Sequence, residues 1–181
     1  MGLRSFIALP VPALGPLLKV QAALDVGRAV APENWHVTLA FLGAQPEPVL
    51  RDLDERLSAV RVPPFAMRIA GLDVVGGAVP RLIKANVEAS EPMRRLRRKV
   101  RQAARQAGIA LAHERFRPHV TLARFPRQMG ALEMRRIIGV LEAHGAVDAG
   151  AVPVEGFTLY RSILTPEGAL YEPLADYPLR G

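Results

Sequence analysis

The pentapeptide His36-Val-Thr-Leu-Ala40 recurs letter for letter as His119-Val-Thr-Leu-Ala123, 83 residues further along a chain of 181. The repeat is short, but His is scarce: the chain has four, and two of them head the two copies. The surroundings repeat as well. Each copy is predicted as a strand that follows a strand and a helix and precedes a helix and a strand, the mark of an internal duplication. Strand geometry then sorts the side chains. Residues i and i+2 share a face, so His36 points with Thr38 and His119 with Thr121, while Val37, Leu39, Val120 and Leu122 point to a core. Pseudo-two-fold symmetry would bring two imidazoles and two hydroxyls around one small volume.

Apolar periodicity and turn chemistry predict the rest. A strand over 5–9 ends at Pro10 and Pro12, and Pro12 opens a helix over 13–23. A strand over 35–42 closes at Gly43, and a helix over 46–60 carries Val49, Leu50, Leu53 and Leu57 on one face. Strands over 65–72 and 81–87 flank a Gly76-Gly77 turn. A helix over 92–107 turns Met93, Leu96, Val100, Ala103 and Ala107 inward and stops at Gly108. A strand region over 115–125, broken by Pro118, precedes a helix over 131–142 that uses Leu132, Ile137, Ile138 and Leu141. Strands over 152–160 and 169–174 complete the chain, with a turn at 166–168. The strand over 5–9 is the counterpart of 81–87, which argues against reading Arg4 and the apolar stretch behind it as a signal peptide. No apolar run reaches the roughly 18–20 residues that span a bilayer. With no linker or low-complexity segment, the expectation is one α+β domain over 1–181, its pseudo-symmetric lobes sharing motif strands 36–43 and 119–125.

Zero cysteines exclude a disulfide framework, a thiol nucleophile, Cys-type zinc sites and iron–sulfur clusters, and fit a reducing cytoplasm. Lys plus Arg is 24 against 17 Asp plus Glu, a formal charge of +7 that favours an anionic partner such as nucleic acid or a phosphorylated small molecule. Arginine dominates, which suits bidentate phosphate contacts and equally follows from a GC-rich coding sequence. Arg94, Arg95, Arg97, Arg98, Lys99, Arg101 and Arg105 occupy positions the apolar stripe of their helix leaves free. That face reads either as solvated surface or as a rail for an RNA backbone. Trp35 points away from His36, toward the core. Phe6 and Tyr171 are open between base stacking and core packing, and His113 and His144 are expected at the surface.

Two histidines with two threonines suit the cleavage of a phosphodiester. One group must take a proton from the attacking oxygen and another must give one to the leaving oxygen, near neutral pH. Imidazole serves in either role, one ring neutral and the other protonated. The Thr38 and Thr121 hydroxyls can donate to phosphate oxygens, and Arg124, directly after the second motif, can neutralise developing charge. Arg117 and Arg127 are further candidates for phosphate contact. No carboxylate stands beside either motif at ligand spacing, which argues against a metal site built on His36 and His119.

The doubled motif and its context resemble the two-histidine (2H) phosphoesterase superfamily, and within it the bacterial and archaeal RNA 2′,3′-cyclic phosphodiesterases, historically called 2′-5′ RNA ligases. The resemblance is carried by Arg4-Ser-Phe-Ile-Ala-Leu-Pro10, by His36 to Gly43, by Phe116-Arg-Pro-His-Val-Thr-Leu-Ala-Arg124, and by Leu159 to Leu164 leading to Gly168 and Tyr171. It implies a bilobal fold with two antiparallel sheets around a central cleft. It also implies metal-independent, cofactor-free hydrolysis of RNA 2′,3′-cyclic phosphate ends to 2′-phosphates. Carried over, His36 is the proton donor to the departing oxygen and His119 the acceptor that activates water, with Thr38, Thr121 and Arg124 on the phosphate. Lys84 is a departure, since similar proteins often carry an aromatic residue there. Two other readings stay open: 2′-5′ joining of RNA ends at the same site, and a non-catalytic RNA-binding module using the helix over 94–105. The chain is expected to act in the cytoplasm as a monomer, on RNA or oligonucleotide ends and apart from any membrane.

Overall fold

The two apolar stretches over 5–9 and 81–87 become inner strands of two separate antiparallel sheets in the computed structural model, which describes residues 2–181. The first sheet has the order β3 (His36–Gln45), β1 (Leu3–Pro10), β8 (Gly156–Thr165), β9 (Gly168–Pro178). The second has the order β2 (Arg28–Ala29), β6 (His119–Arg124), β5 (Pro80–Val87), β4 (Phe65–Gly76), β7 (Asp148–Val154). An inner strand covered on both faces has no solvent side to keep polar, which is why these stretches read as runs rather than alternations. The fold is α+β, and every strand pairing is antiparallel.

The two motif strands are built alike. β3 pairs with β1 so that His36 stands opposite Pro10 and Thr38 opposite Ala8. β6 pairs with β5 so that His119 stands opposite Asn86 and Thr121 opposite Lys84. The residue before each histidine accepts a ladder bond, Trp35 O from Val11 N at 3.0 Å and Pro118 O from Val87 N at 3.1 Å. Both ladders then slip by one residue, between Ile7 and Ala8 in the first and between Ile83 and Lys84 in the second. The extra residue is Leu39 in β3 and Leu122 in β6, a β-bulge at the same place in each motif.

Four helices, α1 (Gly15–Ala23), α2 (Glu47–Ser58), α3 (Glu91–Gln106) and α4 (Ala131–His144), cover the sheets. α2 packs on β9 and α3 on β3 and β4, while α1 lies against β6 and β7 and α4 against β4. Leu50, Leu53 and Leu57 form the buried stripe of α2; Met93, Leu96, Val100 and Ala103 form that of α3. The core is one continuous cluster reaching from Ile7 and Leu9 to Val120 and Leu122. Trp35 belongs to it, as expected.

Several details differ from the sequence expectations. Pro16, not Pro12, sits in the first turn of α1. Gly43 does not close β3: its φ of +71° lies in a second slip of the β1–β3 ladder, and the strand continues to Gln45. The second motif strand stops at Arg124, one residue short of Phe125. The stretch over 152–160 is two strands, β7 ending in the second sheet at Val154 and β8 starting in the first at Gly156. In α4 the buried residues are Ile137 and Val140, while Leu132 and Ile138 are exposed. The cations of α3 do not form a uniformly solvated face. Arg101 is buried and donates to Ala112 O at 2.6 Å, and the Arg97 guanidinium lies 4.5 Å from the Phe116 ring centre. Both tie the segment leading into β6 to the helix.

Candidate active site

β3 and β6 belong to different sheets yet pack against one another, which brings the two His-Val-Thr segments together. Both imidazoles are held the same way. His36 Nδ1 lies 2.7 Å from Asn34 O, and His119 Nδ1 lies 2.9 Å from Arg117 O, in each case the carbonyl two residues back. A carbonyl can only accept, so each Nδ1 carries the proton and each Nε2 is left free for substrate. Burial holds both rings below the ordinary histidine range, against the opposing pull of their carbonyl partners. Cations lower them further. Arg124 acts on both rings, His119 also acts on His36, and Lys84 also acts on His119.

The bulges decide what else faces the reacting volume. Under simple alternation, Arg124 would project from the face opposite His119. With Leu122 inserted, Val120, Leu122 and Ala123 are buried, whereas His119, Thr121 and Arg124 remain accessible. β3 repeats the pattern: Val37, Leu39 and Ala40 are buried, and His36, Thr38 and Phe41 are accessible. Arg124 and Phe41 therefore occupy equivalent places, a guanidinium on one motif strand and an exposed aromatic ring on the other. Of the three arginines near the second motif, Arg124 is the one whose charge reaches both rings; Arg117 contributes its carbonyl.

The bulged carbonyl of Leu122 is not orphaned. It accepts from Val30 N at 2.8 Å and from Gln21 Nε2 at 2.8 Å, and Gln21 Nε2 also donates to Val30 O at 2.7 Å. Gln21 on α1 thus pins β6 and the segment after β2 in the arrangement that aims Arg124.

The two walls differ in character. On the first sheet, Phe6 stacks on Tyr160 with centroids 5.2 Å apart and lies 5.0 Å from the His36 ring. Tyr171 meets His36 edge-on at 5.2 Å. Phe6 is buried among these rings, and Tyr171 also lines a neighbouring cavity. On the second sheet stand Arg124 and Lys84. Lys84 is only 8 % exposed and forms no ion pair among the described residues. Asp73, opposite it on β4, is exposed and spends Oδ1 on its neighbour's Val74 N–H at 2.8 Å. Among the described residues, no group of three His, Cys, Asp or Glu side chains is placed to hold a metal ion. Nor is any helix long and apolar enough to cross a membrane.

Two sheets that meet along a pair of bulged His-x-Thr strands are the architecture of a two-histidine phosphoesterase. The chain belongs to the 2′-5′ RNA ligase superfamily, whose family model matches residues 17–163. It is 34% identical over 155 residues to an RNA 2′,3′-cyclic phosphodiesterase of Aeropyrum pernix, covering 82% of this chain and 84% of that one. A second RNA 2′,3′-cyclic phosphodiesterase, of Archaeoglobus fulgidus, is 29% identical over 178 residues and matches 95% of this chain and 98% of its own. The crystal structure of TT0787 of Thermus thermophilus superposes with a TM-score of 0.76 at 31% identity, covering 98% of each chain.

Proposed function

We propose that this protein hydrolyses 2′,3′-cyclic phosphate ends of RNA to 2′-phosphates by acid–base catalysis between His36 and His119. The observation that carries the reading is the matched pair of imidazoles, each with Nδ1 committed to a carbonyl and Nε2 free. His119 takes the proton of the attacking water and His36 delivers one to the departing 3′ oxygen. The ring that must start neutral is the one beside Lys84, whose charge disfavours the imidazolium. His36 must start protonated although burial opposes it; the anionic phosphate between the rings supplies the favourable charge. Thr38 and Thr121 share the accessible faces of their histidines and donate to the non-bridging oxygens, and Arg124 balances charge as the phosphorane forms.

This chemistry assigns every proton to a side chain of the site, and we take it to run without a metal or cofactor. The corresponding pairings of the motif strands support one domain of two pseudo-symmetric lobes. We further propose that the protein works as a cytoplasmic monomer. The deciding experiment is incubation with a short RNA ending in a 2′,3′-cyclic phosphate, with chromatographic separation of products. A 2′-phosphate supports the reading; a 3′-phosphate or a 2′-5′ joined product overturns it.

A further inference from the structure

A cavity of about 710 Å³ opens beside the paired histidines rather than over them. Neither imidazole lines it, but Asn34, Arg124 and Tyr171 do, and each of these adjoins a reacting group. Its far wall is β2 and the β8–β9 turn.

In that wall Arg28 is paired directly opposite Arg124 across the β2–β6 ladder. Two like charges placed opposite one another on neighbouring strands repel. Neither arginine forms an ion pair among the described residues, although Glu33 and Glu167 line the same cavity. The arrangement is built into the backbone. Gly27, at φ +79°, lies so close to β6 that a Cβ would collide with the Arg124 carbonyl oxygen and the Phe125 ring. Only glycine combines that φ with that approach, so Gly27 is what lets Arg28 lie level with Arg124.

We infer that Arg28, with Arg124 standing between it and the histidines and shared by the two anions, binds a second phosphate of the substrate, the phosphodiester joining the terminal nucleotide to its 5′ neighbour. The inference rests on the phosphodiesterase reading above and adds to it the side chain that recognises the phosphate on the 5′ side of the cyclic end. A cavity of this size accommodates a nucleoside. Its rim acceptors, Glu33 and Glu167, suit ribose hydroxyls and exocyclic amines. Two guanidinium forks facing one cavity suit an anion with several acceptor oxygens.

The test compares adenosine 2′,3′-cyclic phosphate with the same compound carrying a 5′-phosphate, which adds the anion without a second nucleoside. The wild type is expected to prefer the 5′-phosphorylated substrate by roughly tenfold or more in kcat/KM. That preference shrinks as ionic strength rises. Arg28→Gln, checked for folding by circular dichroism, brings the ratio of the two kcat/KM values close to one, and Arg28→Lys retains part of it. Should Arg28→Gln not fold, the salt dependence of the wild-type ratio decides. Equal kcat/KM for the two substrates in the wild type, a ratio insensitive to salt, or a full preference surviving in Arg28→Gln overturns the inference. Hydrolysis of neither substrate by the wild type overturns instead the function on which it rests.

Discussion

Lys84 stands directly across the β5–β6 ladder from Thr121, whereas the matching place opposite Thr38 holds Ala8. The otherwise similar half-sites are thereby made unequal in charge. A buried ammonium beside His119 disfavours its protonation, and the other half-site has no such group on its partner strand. In the proposed mechanism, this difference in neighbouring charge is what makes one copy of the motif the acid and the other the base.

Replacing Lys84 by Met removes that charge, so His119 titrates at higher pH. A base must be neutral to act, and the rising limb of the kcat/KM profile therefore moves to higher pH, with activity lost on the acid side. Profiles of the wild type and Lys84→Met, measured with a cyclic-phosphate dinucleotide, check this. An unmoved rising limb contradicts the assignment of His119 as base.

His36→Ala and His119→Ala are each expected to lower kcat by roughly 10²–10⁴-fold or more, since each removes one proton transfer. Both rings are half-buried and bonded only to a backbone carbonyl, so the variants keep the wild-type circular dichroism spectrum. Activity near wild type in either one sinks the two-histidine mechanism.

Stability should fall as the medium is acidified. Both histidines titrate below the ordinary 6.5 when folded, so between the folded and unfolded values the unfolded chain binds more protons. Their contribution is complete above the unfolded value and is lost as pH drops toward the folded ones. Thermal unfolding midpoints across that window fall less steeply in His36→Gln than in the wild type. An identical slope argues against a depressed His36.

Gln21→Leu strips a donor from two carbonyls, Val30 O and Leu122 O, without removing any side chain proposed to touch the substrate. The expected loss is about 1–3 kcal/mol by urea unfolding. Because Gln21 holds the bulge that aims Arg124, KM rises as well. A Gln21→Leu protein with unchanged urea midpoint and KM removes Gln21 from this role.

Much of the site could be read from the chain because it is local. A five-residue repeat containing two of four histidines announces itself, and alternation places Val37, Leu39, Val120 and Leu122 correctly inside. What escaped was set by pairing between distant segments. No local signal marks Leu39 and Leu122 as bulged, because a bulge is defined by the partner strand, and so the face of Arg124 could not be derived. β2 is two residues long and exists through its ladder to β6, which kept Arg28 out of view. Lys84 drew notice as a departure in type, but its place opposite Thr121 is a matter of register. Leu132 and Ile138 mislead in the opposite sense: apolar in type, they project to either side of the face of α4 that buries Ile137 and Val140. The split between β7 and β8 is invisible for a similar reason, since both are β-prone and only Glu155 separates them.

β3 and β6 lie in different sheets, so no ladder of backbone hydrogen bonds spans the gap between the two imidazoles. Their spacing is set by the hydrocarbon behind them, as the covering helices press two independently hydrogen-bonded surfaces to a common depth. Proton transfer is acutely sensitive to distance, and close-packed interiors pass on small changes of volume. On the proposed mechanism, the gap between the imidazoles therefore works as a gauge of the core. A methylene lost beneath either motif strand is registered as a change in rate with every polar group of the site still in place.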